Sequence, residues 1–265
     1  MTRWLALIRK EIQASWGPTA VAAALIVALD TWLIARTTAW RIRYPGLSFG
    51  LAMVPLAVLM VWTIWAGYLA VRSEWHGRTS MRLMSFPVSG RTVLGSKIVV
   101  LMAQFTILAG IAVVGLLLVA AREPGIQFGT VGSMITTAFK PWELAVTVAS
   151  MTLVLLAGVA YVLSMGIFSF VIGTTVARLS GLIAVVVFGL LGYISNALGP
   201  LAMYVFSFIP NPSIIIHSFT FGPGGAEAAT YVRHVIPALP FWPLVLGSVI
   251  LLLIAGRLLE TEVDA

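Results

Sequence analysis

Long apolar runs with almost no charge alternate along this chain with short charged or Pro/Gly-rich segments. Six such runs cover about 18–36, 50–71, 97–121, 144–173, 180–199 and 238–256. A helix needs about 20 apolar residues to cross the hydrocarbon core of a bilayer. Inside lipid only helices and closed barrels satisfy every backbone N–H and C=O. Barrel strands would alternate apolar and polar residues, and these runs are continuous. The pattern predicts an all-α integral membrane protein: six transmembrane helices forming a single domain over residues 1–265.

The segments outside the runs add detail. Over residues 1–16, Trp4, Leu5, Ile8, Ile12 and Trp16 recur at a spacing of about four, with Arg3, Arg9, Lys10 and Gln13 largely opposite. This predicts an interfacial helix, broken from the first span at Gly17-Pro18. Leu7 and Glu11 do not fit its two faces. The helix is either a plain anchor or also a contact for a cytoplasmic partner. Residues 72–97 carry five basic residues and one acid, Glu74. Thr79 to Phe86 can form a short helix stopped by Pro87. It sets Met81, Leu83, Met84 and Phe86 beside Arg78 and Arg82. Such a helix suits a protein contact, and the same charges also suit a plain topology-setting loop.

The fourth run is long. About 30 helical residues span about 45 Å, more than a bilayer needs, so it must tilt, kink or project. Residues 200–237 are apolar but interrupted by Pro200, Pro210, Pro212, Pro223 and Pro237. They are expected to form short re-entrant or interfacial helices on the outer side.

Composition sharpens this picture. The chain is 60% hydrophobic and 9% charged, against roughly 25% charged in a soluble domain. The net charge of +7 reads as loops facing anionic lipid, and no nucleic-acid partner is expected. The chain has no cysteine, which excludes disulfides and thiolate metal cages. Residues 1–15 lack a small-residue cleavage site, so no signal peptide is expected. With the N-terminus inside, ten of the 16 Lys and Arg fall in inner segments. That count predicts a multi-pass plasma-membrane protein with both termini cytoplasmic. Arg36, Arg41 and Arg43, in the first outer loop, count against it.

Catalytic and nucleotide-binding patterns were sought. The string Gly90 to Lys97, GRTVLGSK, has Ser before Lys where a phosphate loop has Lys before Ser/Thr, and no strand precedes it. His76, His217 and His234 are not spaced as metal ligands on a helix, so no metal site is expected. There is no G-x-S-x-G elbow and no pair of acids within a span. The chain is therefore expected to be non-catalytic. Asp30 stands out about 12 residues into the first run. A carboxylate at depth marks a partner, a wet cavity or a proton site. Arg36, six residues on, offers a structural pairing instead. Asn196 and Trp62 are weak pathway candidates beside Asp30, and Asn196 also suits an interhelical hydrogen bond.

The order of parts resembles a known family. Ile8-Arg9-Lys10-Glu11 precedes the first span, and Glu74 ends the second. Gly77-Arg78-Thr79, Ser85-Phe86-Pro87-Val88-Ser89 and Lys97 follow before the third. This layout resembles the permease subunit of type 2 ABC transporters, a family of exporters that includes drug, antibiotic-resistance and polysaccharide permeases. The resemblance implies a coupling helix in 72–97, with Glu74, Arg78, Thr79, Arg82, Leu83 and Phe86 touching an ATPase subunit. It implies two ATPase subunits carrying ATP and Mg, no cofactor on this chain, and a second permease, identical or homologous, sharing the substrate pathway. A stand-alone secondary carrier and, less well, an intramembrane enzyme are the competing classes. A carrier would need internal inverted repeats and ionisable groups at the midplane. No repeat is evident, and Asp30 is the one ionisable group found there.

Overall fold

A computed structural model describes residues 2–40, 47–76, 90–122, 140–175, 180–222 and 225–263. Seven α-helices carry most of them: α1 Thr2–Trp40, α2 Leu47–Ala52, α3 Val54–His76, α4 Gly90–Arg122, α5 Pro141–Thr175, α6 Ser180–Val205 and α7 Phe241–Val263. A 3-10 turn, Phe206–Phe208, and two strands, β1 Ser213–Gly222 and β2 Gly225–Pro237, separate α6 from α7. Six segments are long and apolar enough to cross a membrane, one of them α2 and α3 taken together. The chain is a helical, multi-pass membrane protein.

The apolar runs are helical apart from a break at Met53 in the second, but two expected breaks do not occur. The chain does not break at Gly17-Pro18, and α1 continues through Pro18 for 39 residues. Proline removes one N–H, so the Ala14 carbonyl loses its helical donor. An apolar chain in lipid has no better alternative for the remaining backbone groups. Likewise α6 runs through Pro200 to Val205. The break that does occur is at Met53, between α2 and α3, where Pro55 occupies the first turn of α3. The Met53 N–H donates to both Phe49 O (3.3 Å) and Gly50 O (3.2 Å).

Residues 213–237 correct the expectation of re-entrant helices. They pair as an antiparallel hairpin, from Ser213↔Pro237 to Gly222↔Gly225, so the fold is not purely α. Ile214 and Ile215 facing Ile236 and Val235 set β-branched residues against β-branched residues, and Ile216 faces His234. The hairpin base is fixed to the bundle. Thr147 Oγ1 on α5 accepts from Ile215 N (3.1 Å) and lies 3.4 Å from Ile215 O. Ala238 N donates to Pro212 O (2.8 Å), and Trp242 Nε1 donates to Pro210 O (2.9 Å).

The core forms three layers along the bundle. Near the hairpin end, Leu33, Ala52 and Val119 pack together. In the middle sit Ile26, Leu59, Ala66, Phe105, Leu108, Val159 and Leu163. At the far end are Val71, Leu94, Ile98, Ile167, Phe170, Val171 and Ala255. Residue numbers rise toward the hairpin end on α1 and α4, and toward the far end on α3 and α5. The start of α1 and the end of α7 therefore share the far end, hereafter the terminal end.

Burial of apolar surface does not drive helices together in lipid, so close packing must. The α3–α5 contact displays this. A Cβ on Gly67 would lie 2.6 Å from the Leu163 carbonyl oxygen, and one on Gly166 would lie 3.2 Å from Tyr68 N. The two backbones touch because neither residue has a side chain. Helix α5 is the most enclosed of the spans and α6 the least.

Candidate functional site

Charged groups converge at the terminal end. Lys97, in the second turn of α4, is 5% exposed, and its Nζ lies 3.2 Å from Glu11 Oε1 on α1. The first turns of α1 are thereby tied to α4. Glu260, near the end of α7, accepts from Gly90 N at the start of α4 (3.1 Å). A carboxylate there satisfies one orphan N–H and complements the helix dipole. Arg91 packs against Gly256, where a Cβ would come within 2.5 Å of Arg91 Cγ. On α3, the Arg72 guanidinium lies over the Tyr68 ring at 5.7 Å, and Tyr68 meets Phe170 of α5 edge-on at 5.1 Å. Five helices are thus fastened where α3 leaves the bundle and α4 re-enters it.

The expected coupling residues belong to this end of the chain path. Glu74 lies in the last turn of α3. Arg78, Thr79, Arg82, Leu83 and Phe86 lie outside the described residues. Glu11, which fits neither face of an isolated amphipathic helix, is explained by its partner Lys97. Nothing in the local pattern paired the two, although a lysine at the mouth of an apolar run is a signal that it needs an anion.

The expected pathway residues do not meet. Trp62 is half-buried and packs against the middle core layer. Asn196 is exposed on α6, a helix that packs chiefly on α5 and is joined to it by a hydrogen bond between the Tyr161 and Ser195 hydroxyls. Asp30 lies elsewhere, between α1 and α4, and is 5% exposed. The pairing with Arg36 does not form. Asp30 Oδ1 is buried without a hydrogen-bond partner, whereas Arg36 is exposed. The carboxylate rests on Gly115, where a Cβ would be 1.8 Å from Asp30 Oδ2. It borders a groove of about 560 Å³ between α1 and α4.

Among the described residues no group of three or more His, Cys, Asp or Glu could hold a metal ion. His234 is exposed on β2, opposite Ile216. Comparison with models of known protein families, with curated proteins and with solved structures finds no match to this chain.

Proposed function

We propose that this chain is the transmembrane permease subunit of an ATP-driven exporter of the type 2 ABC class. It would act with a second permease, identical or homologous, and with two separate ATPase subunits that carry ATP and Mg. The chain itself would supply no catalytic group and bind no cofactor. The observation that carries the reading is the convergence at the terminal end. Residues 77–89, which hold most of the family-like string, connect α3 to α4 there. The amphipathic start of α1 is held against α4 by the Lys97–Glu11 pair.

The mechanism follows from that arrangement. ATP-driven closure of two ATPases would press on 77–89 in each permease. The load would enter α4 through its first two turns, where Glu260 and Arg91 lock it to α7 and Lys97 locks it to α1. A fastened end transmits the push as a rigid-body movement instead of fraying one helix. The permease then contributes a bundle with two arrangements, whose balance the nucleotide state shifts. The second permease would meet α3 and α6. Support comes from the apolar faces these helices leave uncovered, including Val61 and Trp65 on α3 and Val185 and Tyr204 on α6. In this reading both termini are cytoplasmic and the hairpin faces outward in the plasma membrane.

Affinity purification of the full chain from its native membrane in mild detergent tests the assignment. The expected result is recovery of an ATP-hydrolysing partner in equal amount. Recovery of this chain alone, with transport in vesicles driven by an ion gradient and indifferent to ATP, would favour a secondary carrier. The buried carboxylate of Asp30 is the observation on that side.

A further inference from the structure

The groove between α1 and α4 is built almost entirely of aliphatic side chains and glycine, with Asp30, Thr31 and Thr106 as its polar members. Both threonines are already committed. Thr31 donates to Val27 O (2.7 Å) and Thr106 to Met102 O (2.8 Å) within their own helices. Asp30 is not: its Oδ1 is buried and unpartnered, and the residue is 5% exposed. Gly115 makes the seat, because any side chain there would occupy the carboxylate's position. The sequence thus spends a glycine to hold an acid against an apolar groove.

The chemistry of the lining narrows the occupant. Hard metal ions take six or more oxygen ligands, and one carboxylate among aliphatics cannot supply them. A buried water needs two to four polar partners. A neutral hydrocarbon would leave the carboxylate unsatisfied, which is costly at membrane depth. A cation carried on a hydrophobic body meets both demands, pairing its charge with Asp30 and filling the groove with apolar surface. A volume of about 560 Å³ falls in the range of small-molecule sites. We propose that the α1–α4 groove is a binding site for small lipophilic cations, with Asp30 as counter-ion. The site stands on α1 and α4 alone and does not depend on an ATPase partner.

Equilibrium binding of radiolabelled tetraphenylphosphonium to the purified full chain tests this. The parent should bind saturably, and excess neutral triphenylphosphine oxide should compete poorly. Asp30→Asn keeps shape and removes the charge. Losing a buried charge partner should weaken binding about thirtyfold or more. Gly110→Leu is the second variant. Gly110 also lines the groove, and nothing lies within 4 Å of the Cβ position there. The added side chain should fold normally and block the groove by volume while leaving Asp30 in place. Both variants should elute from gel filtration as the parent does. Three results would overturn the site: parent binding no tighter than that of Asp30→Asn, full binding by Gly110→Leu, or equal competition by the neutral compound. The first includes the case in which lipid tails or a second copy of the chain fill the groove.

Discussion

Removing Glu11 should cost more than removing Lys97, although the two form one ion pair. The reason is unequal burial: the Lys97 side chain is 5% exposed and that of Glu11 is 21% exposed, with 3.2 Å between Nζ and Oε1. Glu11→Gln leaves an ammonium enclosed between α1 and α4. Removing the partner of a buried charge costs about 3–5 kcal/mol when nothing else holds it, and about 3 kcal/mol is the upper bound here because Lys97 keeps a further interaction. Lys97→Met leaves a carboxylate that can turn toward interfacial water, so about 1–2 kcal/mol is expected. The double variant strands neither charge and should fall below Glu11→Gln alone. The assay is thermal unfolding in one detergent, with the four proteins forming a double-mutant cycle. For a chain of this size, about 3 kcal/mol corresponds to roughly 6 °C or more. Limited proteolysis at Arg9 and Lys10 should rise in parallel, since the start of α1 loses its tie to α4. Equal costs for the two single variants, or no change in either, would refute the inference that Lys97 is enclosed and held by Glu11.

Other consequences can be checked in the same preparations. Gly67→Ala places a Cβ 2.6 Å from the Leu163 carbonyl and should destabilise by about 1–3 kcal/mol through overpacking. Gly189→Ala, where nothing lies within 4 Å, should be neutral or slightly stabilising in the same melt. The chain has no cysteine, so single-cysteine variants label cleanly. Thr2, Arg78 and Asp264 should label from the cytoplasm and Arg41 and Glu227 from outside; an outside signal at Arg78 would remove the proposed coupling loop from any ATPase. Cysteines at Val61 on α3 and Val185 on α6 should cross-link between two copies or to a paired permease. Efficient links only from α5 or α7 would exclude that interface.

The spans were legible because length and hydropathy decide them with no tertiary knowledge: a run such as 97–121 has no other stable state in lipid. Their ends were less so. Pro18 and Pro200 read as breakers by a rule calibrated in water, where an interrupted helix can hydrogen-bond to solvent. The hairpin was hidden by its prolines. Pro210, Pro212 and Pro237 signalled interruption, but they stand at the edges of two strands whose β-branched residues, Ile214–Ile216 on one and Val232, Val235 and Ile236 on the other, carried the positive signal. Asp30 was visible as an anomaly, yet its seat was not. Gly115 looks like any small residue in a span until α1 and α4 are docked. The Lys97–Glu11 pair has the same character: each residue departs from its local pattern, and only the fold brings the two together.

The central claim is that residues 77–89 receive an ATPase at the terminal end of the bundle. Changing Leu83 and Phe86 together to Ala tests it most directly. Apolar anchors in a desolvated contact contribute about 2 kcal/mol or more each, whereas rim charges, the role expected of Arg78 and Arg82, contribute about 0.2–1 kcal/mol. Capture of the ATPase from native membranes should fall steeply in Leu83→Ala/Phe86→Ala and only slightly in Arg82→Ala, at unchanged membrane insertion. Undiminished capture and transport by the double variant would contradict the claim and leave 77–89 as a loop that sets topology.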